Sequence, residues 1–233
     1  MLPLVIPVAL YAQVLPVTTS KNACDQVTEI STRVNREVAI KEAGLAKRRE
    51  ENTKALSESR TKRDAELKNY RAKADTNRQT HYAKLESRAT TDAQKQAVAQ
   101  FKTTVEAAVT ARQNVVDTAL QTFRQGVDQS LTSRKSSIDT LIANFKSSVQ
   151  SALDKAKNDC SQKDLKTVRK ALLASLKTAR QTLTSERQKI EKKKDVRPPL
   201  IAARKQAFEK ARADFQTALE KAKKDLKAAF PDK

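Results

Sequence analysis

Apolar residues recur every eleven positions through the middle of this chain. Aligned in elevens from Ala97, residues 97–160 place Val98, Val109, Leu120, Leu131, Ile142 and Leu153 in one column. A second column holds Val105, Val116, Val127, Ile138 and Val149, and ends on Cys160. A third alternates Phe101, Arg112, Phe123, Arg134 and Phe145, and a fourth is mostly small, with Ala97, Ala108, Ala119, Ser130 and Ala152 interrupted by Leu141. Eleven residues make three turns at about 3.67 residues per turn, so such columns stay on one side of a nearly straight, slightly right-handed helix. The preceding segment carries a weaker version in Val34, Leu45, Leu56 and Leu67, among charged runs such as KRREEN at 47–52.

Between the two segments lies SRATTDAQ at 87–94, where Thr91 and Gln94 form a capping-box signature for a helix start. A turn near 88–92 follows. Folding the chain there pairs Val34 with Val149, Leu45 with Ile138, Leu56 with Val127 and Leu67 with Val116, each with an index sum of 183. Half of that sum falls on the turn, an agreement that the shared period does not by itself require. The same register brings Cys24 and Cys160 together at the open end and predicts a disulfide between them. It sets Arg134 opposite Glu50 and Glu51, and Arg112 opposite Asp75. Each arm of about 65 residues would measure roughly 100 Å at about 1.5 Å per residue. The periodicity is similar to that of right-handed coiled coils such as the peripheral stalk of rotary ATP synthases; the likeness is one of spacing and carries over no functional residue.

The eleven-residue register stops after Cys160. SQKD at 161–164 offers a new cap, Ser161 with Asp164, and a third helix follows with Leu165, Leu172, Leu176, Leu183 and Ile190 at heptad-like spacing. It runs into Lys192, Lys193 and Lys194, and Pro198 and Pro199 then start a fourth helix with Ile201, Phe208, Phe215, Leu219, Leu226 and Phe230. The fold class expected is therefore all-α and elongated. A long antiparallel hairpin spans residues 20–160, and a second, shorter hairpin spans 161–233 with its turn near 195–199.

Composition agrees with long helices. There are 2 Gly in 233 residues, and the 6 Pro all lie outside residues 17–197. Sheet proteins and mixed folds use such residues far more often. The net charge of +20 is uneven: residues 161–233 hold 21 Lys and Arg against 9 Asp and Glu, an excess of 12. That segment should attract polyanions. The candidate contacts are Arg169, Lys170, Lys177, Arg180, Lys192, Lys193, Lys194, Arg197, Arg204, Lys205, Lys223 and Lys224.

No catalytic or metal constellation emerges. His81 is the sole histidine, and two cysteines far apart in sequence cannot hold a structural zinc. Gly44 and Gly126 read as points of local close approach. No enzyme activity, cofactor, metal or small-molecule substrate is expected.

The uncharged stretch LPLVIPVALYAQVLPVTT at residues 2–19 reads as a secretory signal peptide cleaved after Ala12, although it lacks a basic n-region. The alternative is a membrane anchor through the same residues, for which three prolines and the short length are poorly suited. Export also suits a disulfide. The leading functional expectation is an exported rod, spacer or adaptor of the cell envelope or exterior, with protein partners or further copies of itself. One alternative is a module for anionic membrane, acidic glycan or nucleic acid through the basic C-terminal helices. The other is a holdase-type periplasmic chaperone.

Overall fold

The computed structural model describes residues 22–192 and 196–230. These form four helices: α1 (Ala23–Arg88, 66 residues), α2 (Asp92–Asp159, 68 residues), α3 (Leu165–Lys192) and α4 (Arg197–Ala228). The protein is all-α, with long helices packed antiparallel and no strand among the described residues. The N-terminal stretch 2–19, with its expected cleavage at Ala12, lies outside the described residues, as do Lys193 and Lys194.

Each helix start has a local cause. The Asn22 side chain accepts the backbone N–H of Asp25 at 2.9 Å and caps α1. At the α1–α2 turn, Thr91 Oγ1 accepts the N–H of Gln94 at 3.3 Å, while Gln94 Oε1 accepts the N–H groups of Thr90 and Thr91 at 2.9 and 3.2 Å. The reciprocal box satisfies donors that the first turn would leave free. α3 is capped by Asp164, whose carboxylate accepts the N–H of Thr167 at 2.9 Å, so the capping side chain is Asp164 and not Ser161. Pro198 and Pro199 sit in the first turn of α4, where a missing N–H costs nothing.

The described residues divide into two compact units. The first contains residues 22–53 of α1, 133–159 of α2 and all of α3. Its core joins Val27, Ile30 and Val34 to Leu141, Phe145, Val149 and Leu153, and both sets to Val168, Leu172, Leu176 and Leu183. Leu153 is fully buried. The Cys24–Cys160 disulfide closes beside this core, with the two Cα atoms 5.1 Å apart. It cross-links positions separated by 136 residues, for which unfolded-state loop entropy is worth nominally about 4–5 kcal/mol.

The second unit contains residues 54–88 of α1, 92–132 of α2, and α4. Its core gathers Tyr82, Phe101, Val105, Val109 and Ala222, with Leu85, Phe215, Leu219 and Leu226 packed against them. The Tyr82 and Phe101 rings meet edge to face, 6.2 Å between centroids.

The shorter hairpin expected over 161–233 is not what buries the last two helices. α3 packs in the first unit and α4 in the second, each on α1 and α2. The physical reason lies in the alternating Phe/Arg column of α2. The Arg112 guanidinium lies over the Phe215 ring at 5.5 Å, and Arg204 lies over the Phe123 ring at 4.4 Å. Both pairs have an index sum of 327, as antiparallel helices require. The column presents Phe, then Arg, and α4 answers with Arg, then Phe, so each planar cation finds an aromatic face. Arg112 is thus committed to α4 and not to Asp75, which pairs with Arg78 at 2.8 Å.

The two glycines differ. A Cβ at Gly126 would sit 2.8 Å from both methyls of Leu200, so there α2 and α4 do approach closely. A Cβ at Gly44 would meet nothing within 4 Å, so no close approach explains it. Gly44→Ala is expected to raise stability by about 0.5–1 kcal/mol through helix propensity alone. Gly126→Ala should show little or none of that gain, because Leu200 must move. Thermal unfolding midpoints of the two variants, measured side by side, check this.

Candidate functional site: a charged seam and a basic third segment

The α1–α2 seam is narrow. Val34 and Val149 are buried in the first unit, whereas Leu56, Leu67, Val116 and Val127 in the second are only half-buried. Charged side chains complete what the apolar stripe cannot cover. In the first unit, Arg49 pairs with Asp139 at 2.6 Å and Lys146 with Glu42 at 3.0 Å. In the second, Arg60 pairs with Asp128 and Arg71 with Asp117, each at 2.7 Å, and Lys102 with Glu86 at 3.4 Å. Arg124 grips both oxygens of Asp64. Every one of these pairs has an index sum of 188.

The arrangement obeys the same period as the apolar columns. Arg49, Arg60 and Arg71 ascend by eleven while Asp139, Asp128 and Asp117 descend by eleven. Arg60 and Arg71 each engage both oxygens of their partners. Their stems cover the seam while their guanidinium groups remain in contact with water. Exposed ion pairs contribute at most about 1 kcal/mol each, so their larger effect is on alignment. Sliding one helix by four residues would set Arg60 against Arg124, or Asp64 against Asp128, according to direction. Either slip replaces attraction with like-charge repulsion. Hydrogen bonds from Arg60 and Arg124 hold Asp128 and Asp64 respectively below the usual carboxylate range.

Near the α1–α2 turn the pairing becomes a small network. The Tyr82 hydroxyl donates to Glu106 Oε1 at 3.0 Å, and Arg78 Nε donates to the same oxygen at 3.1 Å. Tyr82 is only 2% exposed. Burial, then the neighbouring Glu106 carboxylate, push its phenol up to about 12. Burial also pushes Glu106 upward, but the bonds from Arg78 and Tyr82 outweigh it and leave the carboxyl below its ordinary value. For this network the charges neutralise one another and hold a ring in place; the arrangement is one of support.

The described basic residues singled out in the last third divide between the two units. Arg169, Lys170, Lys177, Arg180 and Lys192 belong to α3 in the first unit, and Arg197, Arg204, Lys205, Lys223 and Lys224 to α4 in the second. Arg204 is occupied by Phe123. Lys205 lies 3.7 Å from Glu209, and Lys223 and Lys224 are exposed. His81 is exposed, and no cluster of metal-ligating side chains occurs among the described residues. No helix among them is long and apolar enough to cross a membrane. An open, largely apolar groove of about 410 Å³ is lined by Val115, Ala119, Phe123, Leu200 and Ala203 in the second unit.

Compared with known proteins, the chain matches no family model, no curated protein and no solved structure. Its own side chains are therefore the basis for reading what it does.

The seam residues Arg49, Arg60, Arg71 and their aspartates are the features that apolar patterning overlooks. Their spacing of eleven emerges only when the period is applied to charge as well as to hydrophobicity.

Two measurements test the seam. Arg60→Asp and Asp128→Arg should each destabilise the protein by about 1 kcal/mol, and the double exchange should recover most of that loss in a double-mutant cycle. Tyr82 has a folded-state pKa above its unfolded value of about 10. Its contribution is fully present below pH 10 and is lost as pH rises through about 12. Alkaline unfolding of Tyr82→Phe should lack that component, while at neutral pH the variant should lose about 1 kcal/mol with its hydrogen bond.

Proposed function

We propose that the chain is a non-enzymatic structural and interaction protein, a stiff helical spacer or adaptor acting in an oxidising compartment of the cell envelope or exterior. Its partners on this reading are envelope proteins or further copies of itself. The observation that carries it is the seam. Helices of 66 and 68 residues are held in one register by a disulfide and by charge pairs repeating every eleven residues. A spacer needs a fixed length and resistance to sliding, and each of these features supplies one or the other. The charged groups of the seam pair with each other along helix faces and, among the described residues, do not converge on an enclosed cavity, which favours support over chemistry. The disulfide is compatible with export.

A compact domain of 233 residues would have a radius of gyration of about 17 Å. A spacer built on helices of this length should give a value nearer about 30 Å, given a rise of about 1.5 Å per residue. Small-angle scattering on the oxidised full chain decides between them. A value near the compact figure would remove the spacer reading.

A further inference from the structure

α3 divides into three faces. At about 100° per residue, Val168, Leu172, Leu176, Ala179 and Leu183 share one sector, and all five are buried. A second sector holds only Thr167, Ala171, Ala174, Ser175, Thr178, Gln181 and Thr182. The third, about 100° wide, collects Lys166, Arg169, Lys170, Leu173, Lys177 and Arg180. Every basic residue between Leu165 and Ser185 is therefore on one flank, and no Asp or Glu lies in that stretch.

This flank contrasts with the seam. There, the arginines reach carboxylates; here, none of the five cations has an ion-pair or hydrogen-bond partner among the described residues. Arg169 and Arg180 are half-buried, and Arg180 Nη1 is shielded from water without an acceptor, as is Nη2 of Arg49 in the seam. Lys166, Lys170 and Lys177 are exposed. Leu173, in the middle of the row, is 37% exposed. From Lys166 to Arg180 the row is about 21 Å long.

We propose that this face of α3 docks on an anionic phospholipid bilayer. Charge complementarity calls for a dense array of negative groups, and the bilayer headgroups present one in a plane, against which the exposed Lys166, Lys170 and Lys177 can lie. Leu173 decides between kinds of polyanion. An apolar side chain among cations gains by entering the headgroup–acyl boundary and gains nothing against a phosphate backbone. α3 also has no aromatic residue on which a base could stack. Attraction of this kind falls off within a Debye length and is weakened by salt.

The test uses the oxidised full chain in sedimentation with vesicles of phosphatidylcholine alone or with about 30% phosphatidylglycerol. Each surface lysine contributes roughly fivefold in affinity for an anionic membrane. Lys170→Ala with Lys177→Ala should therefore weaken binding to the anionic vesicles about 30-fold. Leu173→Ala should weaken it about fivefold, and raised salt should release the protein. Lys223→Ala with Lys224→Ala, on α4, should leave binding unchanged. All of these side chains are exposed, and circular dichroism would confirm that each variant keeps its helices. Equal binding to both vesicle types, or an equal loss from the α4 variant, would overturn the proposal. So would duplex DNA held through the same lysines with no preference for anionic vesicles and no effect of Leu173→Ala.

Discussion

A stripe of apolar residues only a few atoms wide, recurring every eleven positions on a helix of more than sixty residues, can be covered along its length only by a stripe of the same period. That match between α1 and α2 is the constraint on which the other features rest. It aligns Val34 with Val149 and Leu67 with Val116, places the turn at Thr90 and Thr91, and delivers Cys24 to Cys160. A mismatch of even one residue per repeat would carry the two stripes apart within a few turns.

So narrow a seam buries little, and the structure answers with charge. Long side chains such as Arg60 and Arg71 lie across the stripe and end on aspartates of the facing helix. Each pair is weak alone. Repetition changes their role, because the signs along α1 and α2 agree only in the native alignment. Hydrophobic burial draws the two helices together, and the order of charges decides how far along one another they stop. The disulfide acts on the same alignment from the open end, and the Tyr82–Glu106–Arg78 network acts on it near the turn.

The third segment completes the packing differently in the two units. In the first, Leu172, Leu176 and Leu183 of α3 fill the groove beside Phe145 and Val149 with aliphatic side chains. In the second, the fully buried residues of α4 are the small Ala211 and Ala222, and planar contacts between arginines and phenylalanines take over part of the task. The alternation of Phe and Arg along α2 has its explanation here: it is half of a complementary pair of columns, and the other half is on α4. α3 gathers its cations on one flank, where Lys166, Lys170 and Lys177 are exposed, whereas the seam arginines end on aspartates.

Local pattern alone was enough for the helices, the α1–α2 turn, the register of the long hairpin and the pairing of the cysteines. Each follows from period and capping, which are properties of neighbouring residues or of a single index sum. The destination of α3 and α4 was not legible in that way. Their apolar stripes suit each other as well as they suit α2, and the choice depends on which faces of α1 and α2 remain uncovered once those two have met. The same holds for Arg112, whose index places it near Asp75 but whose guanidinium takes the ring of Phe215. A pairwise pattern specifies what a stripe can pack against; only the packed assembly, where all stripes compete for the same surfaces, decides what it does pack against.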